Sequence, residues 1–175
     1  MKVPKKLLKQ FVSSVINNDA EQYRSLYVNE SEGYIFFMLS GYQCFFIALN
    51  GNSLPKHMFE QSFPQITCDE IGAKLSRCGD MVDLSEFESK ETDLGLTRVA
   101  FSLFLRMNKS STYPKDDLIN HEWLANVTTF LKSALTTSTD KKVCLNISYL
   151  EKGNYAFKAK TDELDFLCVT APEED

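Results

Sequence analysis

Tyr34-Ile35-Phe36-Phe37-Met38-Leu39 and Cys44-Phe45-Phe46-Ile47-Ala48-Leu49 are the two runs whose reading decides the fold. Both are dense in aromatic and β-branched residues, which favour a pleated, buried surface. Ser40-Gly41-Tyr42 between them is a tight-turn signal, so the spacing predicts an antiparallel hairpin. Neither run alternates with polar residues. Both faces are apolar, which implies burial on both sides or a covered edge.

Working outward, a third strand-like run lies near 23–29, and before it a helix is expected from about Pro4 to Asn18. Leu7, Leu8, Phe11, Val12, Val15 and Ile16 fall at helical spacing and form one apolar stripe. Pro4 suits a first turn, where a missing N–H costs nothing, and Asn17-Asn18-Asp19 favours leaving the helix. About a hundred residues later the same order returns. A helix from about His121 to Thr136, with Trp123, Leu124, Val127, Phe130, Leu131, Ala134 and Leu135 on its apolar stripe, precedes strand-like runs near 142–150, 155–161 and 164–171. The expectation is therefore an α+β chain in which a unit of one helix and three strands is used twice, with antiparallel sheets. Trp123 is expected to be a core anchor.

Between the units the pattern breaks down. The region of about 53–95 reads as an irregular acidic insertion between a first unit of about 1–52 and a second of about 96–172, all in one domain spanning 1–175. Short helices are expected between Pro55 and Pro64 and between Cys68 and Cys78. Residues 69–93 hold eight acids against Lys74, Arg77 and Lys90, which suggests a solvated acidic loop or lid. No calcium-loop spacing with its glycine is present, so no metal is expected there. Leu96–Met107 places Val99, Phe101, Leu103, Leu105 and Met107 in alternation, and is expected to be a long strand.

Composition sets limits on function. The 43% hydrophobic content, with 13 Phe and 7 Tyr, is too apolar for a disordered chain and ample for a core. No run of about 18 uncharged apolar residues occurs, so no membrane partner is expected, and the absence of a signal-peptide pattern suggests an intracellular, cytoplasmic location. Five cysteines without a Cys-x-x-Cys spacing argue against a disulfide framework or a zinc site. Cys44, Cys144 and Cys168 lie in apolar runs and are expected to be small buried hydrophobes, while Cys68 and Cys78 flank a helix and could meet. The two histidines, His57 and His121, have no acid or nucleophile at a recognisable offset, and the seven glycines form no phosphate-cradling loop. An enzyme is not expected, nor a cofactor.

Charge is more informative than its net value of −5. Residues 1–18 carry Lys2, Lys5, Lys6 and Lys9 and no acid, leaving the remainder strongly acidic. A basic helix on an acidic body either presents a solvated polar face or faces a phosphate backbone.

Ile119-Asn120 leading into Trp123-Leu124 and Phe130-Leu131-Lys132-Ser133-Ala134-Leu135, then a three-strand meander ending Val169-Thr170-Ala171-Pro172, is similar to the close of a DNA sliding-clamp domain. The opening Val3-Pro4-Lys5-Lys6-Leu7-Leu8, with Gly33-Tyr34-Ile35 and Ser40-Gly41-Tyr42, resembles the first half of such a domain. The likeness covers about two thirds of the chain and extends to small clamp-like proteins of phages and mobile elements. It implies a processivity-type accessory protein of DNA replication, whose paired helices present lysines to duplex DNA while sheets form the outer rim. On this resemblance Lys5, Lys6 and Lys9, with Lys2 beside them, face the duplex, and Lys132 contributes from a second helix that is otherwise nearly neutral. One domain is a fraction of a ring, so a homo-oligomer is implied as well. The alternative is a clamp-like fold that docks a protein partner through its acidic surface and does not touch DNA.

Overall fold

The two apolar runs are strands buried on both faces, because helices cover the sheet from either side. The computed structural model describes residues 1–39, 43–49, 51–60, 63–91, 94–106, 120–136, 138–139, 142–149 and 155–170. In chain order these form β1 (Lys2–Pro4), α1 (Lys5–Val15), β2 (Ser25–Asn29), β3 (Tyr34–Leu39) and β4 (Gln43–Leu49). Next come β5 (Gln65–Thr67), α2 (Cys68–Leu75), β6 (Met81–Asp83) and α3 (Leu94–Arg106). The last elements are α4 (His121–Ala134), β7 (Cys144–Tyr149), β8 (Tyr155–Lys160) and β9 (Leu164–Thr170), and short 3-10 turns occupy Glu21–Arg24, Lys56–Glu60 and Leu84–Glu86.

β3 and β4 make the expected hairpin, with Tyr34 opposite Ala48 and Leu39 opposite Gln43. They belong to a seven-stranded sheet of order β5-β2-β3-β4-β9-β8-β7 in which every pairing is antiparallel. The last strands of the two helix-plus-three-strand units meet at its centre: β4 and β9 pair from Gln43–Thr170 to Leu49–Leu164. To either side the order runs β3-β2 and β8-β7. The repeat in the sequence is thus laid out about the β4–β9 seam, and both halves share one sheet. The Thr161 hydroxyl accepts from the backbone N–H of Glu163 and Leu164, which holds the turn from β8 into β9.

On the first face α1 packs against both α2 and α4. Alternation sends Ile35, Phe37, Phe45, Ile47, Phe157 and Phe166 to this side, where Leu8, Phe11, Ile71, Val127 and Phe130 meet them. Phe37 stacks on Phe45 at 4.9 Å, and the Phe130 ring lies 5.0 and 4.6 Å from the two. α4 starts where Asn120 Oδ1 accepts from the N–H groups of Glu122 and Trp123, so the cap is Asn120, and His121 is a surface residue. Trp123 is 6% exposed and lies 5.6 Å from Tyr155, the core position expected of it.

The second face corrects the sequence reading. Leu94–Arg106 is a helix, not the strand expected at Leu96–Met107. The segment is apolar at nearly every second and every third or fourth position, so both periods fit it. Tertiary need decides: Tyr27, Phe36, Met38 and Phe46 on this face require a cover. Ala100, Leu103 and Phe104, at helical spacing, supply it with Met58 and Phe63. Phe104 meets Phe46 edge-on at 5.4 Å.

The short helices expected within the 53–95 region are present as the 3-10 turn Lys56–Glu60 and as α2, and the region adds to the fold: β5 extends the sheet, α2 packs on α1, and β6 pairs with β1. The acids of its first helix are matched locally, Asp69 by Arg24 at 2.5 Å and Glu70 by Lys74. Cys144 is exposed rather than buried, because β7 is the outermost strand, whereas Cys44 and Cys168 are buried as expected. The turns expected at Ser40-Gly41-Tyr42 and 151–154, the loop 109–114, the extended piece at Leu118-Ile119 and the acidic end at 172–175 lie outside the described residues. Among the described residues no helix is long and apolar enough to cross a membrane.

Candidate nucleic-acid interface

The buried stripe of α1, formed by Leu7, Leu8, Phe11 and Val15, fixes which side chains point away from the sheet. Lys6, Lys9 and Ser13 are exposed on the outer side, three and four residues apart. On α4 the same logic exposes Glu122, Ala125, Thr129 and Lys132. Because α1 and α4 are neighbours on one face of the sheet, their outer stripes belong to one helical layer.

The five lysines expected at a phosphate surface are therefore not equivalent. Lys6, Lys9 and Lys132 are exposed, and among the described residues none of them is in an ion pair. Lys5 is half-buried and turned sideways: its Nζ donates to the Cys78 carbonyl at 2.5 Å, and its backbone N–H donates to the Asp80 carbonyl at 2.8 Å. These bonds fasten the start of α1 to the chain leaving α2. Lys2 sits in β1, opposite Asp83 of β6, and lines a cleft of about 290 Å³ together with Met81, Ala134, Leu135 and Glu163. That cleft brings the basic beginning of the chain to the C-terminal end of α4, but it also gives Lys2 an acidic neighbour in Glu163.

The first turn of α1 holds Lys5 and Lys6 and no acid. Positive charge at a helix N-terminus opposes the macrodipole, which for Lys5 is offset by its bond to the Cys78 carbonyl. Arg77 was missed by sequence reasoning. It is exposed just after α2, one residue before the carbonyl that receives Lys5, and adds positive charge at the edge of the same layer.

Several other titratable groups are buried or paired. Burial pushes the Cys44 and Cys168 thiols far up, so both remain protonated. Burial also raises Cys68, against the opposing pull of the Arg24 guanidinium, whose Nε lies 3.4 Å from its sulfur. Cys68 and Cys78 are free thiols. The Glu70 carboxyl is lowered, chiefly by its hydrogen bond with Lys74, and Asp83 is lowered by hydrogen bonds from Ser85. Among the described residues no three His, Cys, Asp or Glu side chains are grouped to hold a metal. No protein-family model, curated protein or solved structure matches the chain.

Proposed function

We propose that this chain is a non-catalytic, clamp-like accessory protein of DNA replication that associates with duplex DNA through the outer side of α1 and assembles with itself. The observation that carries this reading is the exposure of Lys6, Lys9 and Lys132 on two neighbouring helices of one layer, without ion pairs among the described residues. Charge fixed on a rigid helical surface backed by a sheet suits sequence-independent phosphate contact, which needs cations at roughly constant height rather than a base-reading element. Lys6 in the N-terminal turn of α1, unfavourable to the helix dipole, is accounted for by such a role.

Replacing Lys6, Lys9 and Lys132 together by Glu tests it, because all three are exposed and the fold does not depend on them. Fluorescence anisotropy with a labelled duplex at low salt is expected to show a loss of affinity of about tenfold or more. Unchanged affinity in a folded triple variant sinks the assignment of this face. A second reading rests on Glu86, Glu88 and Glu91, exposed together in the segment beyond β6. There the chain docks a basic protein partner through its acidic surface and ignores DNA. Duplex binding by the wild type that falls with salt favours the first reading over this one.

A further inference from the structure

The two edges of the sheet are finished differently. At one edge β5 is only three residues long, and its outer side is already occupied. Gln65 N–H donates to the Lys90 carbonyl at 2.8 Å, and Lys90 N–H donates back to the Gln65 carbonyl at 2.9 Å. At the other edge β7 runs for six residues, Cys-Leu-Asn-Ile-Ser-Tyr, and pairs only with β8 among the described residues. The strand itself has no charged side chain and no proline, and it is not short, three of the devices that protect an edge. Cys144, Leu145 and Asn146 are exposed, and Leu145, at 56%, is the most exposed large hydrophobic residue among the described residues. Every second residue of such a strand turns its N–H and C=O outwards with no partner in the sheet.

The geometry points to a second copy of this chain as the occupant of that edge, its β7 pairing antiparallel with this β7 about a two-fold axis at Asn146. Strand alternation gives the register. Leu145 is opposite Ala159 of β8, and Ile147 packs on the first-face core, so these two share the side of the helical layer. Centred on Asn146, the pairing sets Leu145 of each copy against Ile147 of the other, twice by symmetry. Cys144 falls against Ser148, and Asn146 against its own counterpart. A strand without charge meets itself with no like-charge opposition, which a charged edge would not allow. The closed β5 edge blocks head-to-tail addition of β7 to β5, so growth stops at two copies and the seven-stranded sheet is doubled. This pairing does not depend on the DNA-binding reading: it uses the opposite end of the sheet from α2, and none of the lysines of α1.

Light scattering under reducing conditions, from about 1 µM to about 1 mM protein, reads the association directly. The wild type is expected to reach twice the chain mass of 20.0 kDa and to go no further. N146K and N146D each place like charges face to face at the axis. Each alone is expected to lose at least about tenfold in dimerisation constant, and an equimolar mixture is expected to regain the two-chain mass. Circular dichroism confirms that both remain folded, as an exposed edge residue should allow. The Lys6, Lys9, Lys132 triple variant is expected to stay dimeric, which separates this inference from the DNA assay. A wild type that is one chain at every concentration overturns the proposal. So does one that grows beyond two copies, a dimer that survives in N146K, or a mixture that fails to recover.

Discussion

Phe45→Ala is expected to lower the unfolding free energy by about 3–5 kcal/mol. Phe45 is fully buried in the strand beside the β4–β9 seam, opposite Phe37 on one side and Cys168 on the other. Its ring stacks on Phe37 at 4.9 Å, meets Phe130 of α4 at 4.6 Å, and lies 5.9 Å from Phe166. Truncation removes the partner of three other rings at once. The neighbours cannot collapse into the space, because each is set on a strand or a helix already packed elsewhere, so the cavity cost is added to the lost transfer energy. Against a typical total stability of about 5–15 kcal/mol, the loss is a large fraction. Urea denaturation of the variant beside the wild type, with equal slopes, measures it. A loss under about 1 kcal/mol would mean that the two units do not share one core.

Ser102→Pro is expected to cost about 3 kcal/mol or more, while Ser102→Ala stabilises slightly. Ser102 is exposed near the middle of α3, so neither change disturbs packing directly. Proline removes the N–H that a helix needs at that position, and its ring strikes the carbonyl four residues earlier, that of Arg98. Alanine is the best helix former and is depleted in strands, so its effect separates the two readings of this segment. Thermal melts of the pair decide the matter. A destabilising alanine would restore the strand.

Helix α3 shows why part of the fold was hidden. The hairpin and the two amphipathic helices were legible because each has a single clear period or strong turn chemistry. Leu94–Arg106 is apolar on too many sides, and only the uncovered face of the β2–β3–β4 sheet tells which period is used. The two-sided apolarity of Tyr34–Leu39 and Cys44–Leu49 pointed to that cover without naming it. The short helix expected between Cys68 and Cys78 is α2, and its start has a local signal: Thr67 and Glu70 stand at capping-box spacing, and the Thr67 hydroxyl accepts from the Glu70 N–H. Cys144 was misjudged because apolar alternation cannot distinguish an edge strand from a central one, and strand order is a long-range property.

The candidate surface was legible only as a list of lysines. The sequence places Lys5, Lys6 and Lys9 together on α1, but whether each is free depends on what packs beside the helix. Lys5 is taken by a carbonyl 73 residues away, and α4 brings Lys132 to the layer from the other unit. Neither contact has a local signature.

The most direct measurement of the central claim is the salt dependence of duplex binding by the wild-type protein. Three lysines in phosphate contact predict a slope of log Kobs against log salt of about −2 to −3, roughly a thirty-fold loss between 50 and 200 mM. Absence of binding at low salt, or a slope near zero, would contradict the account.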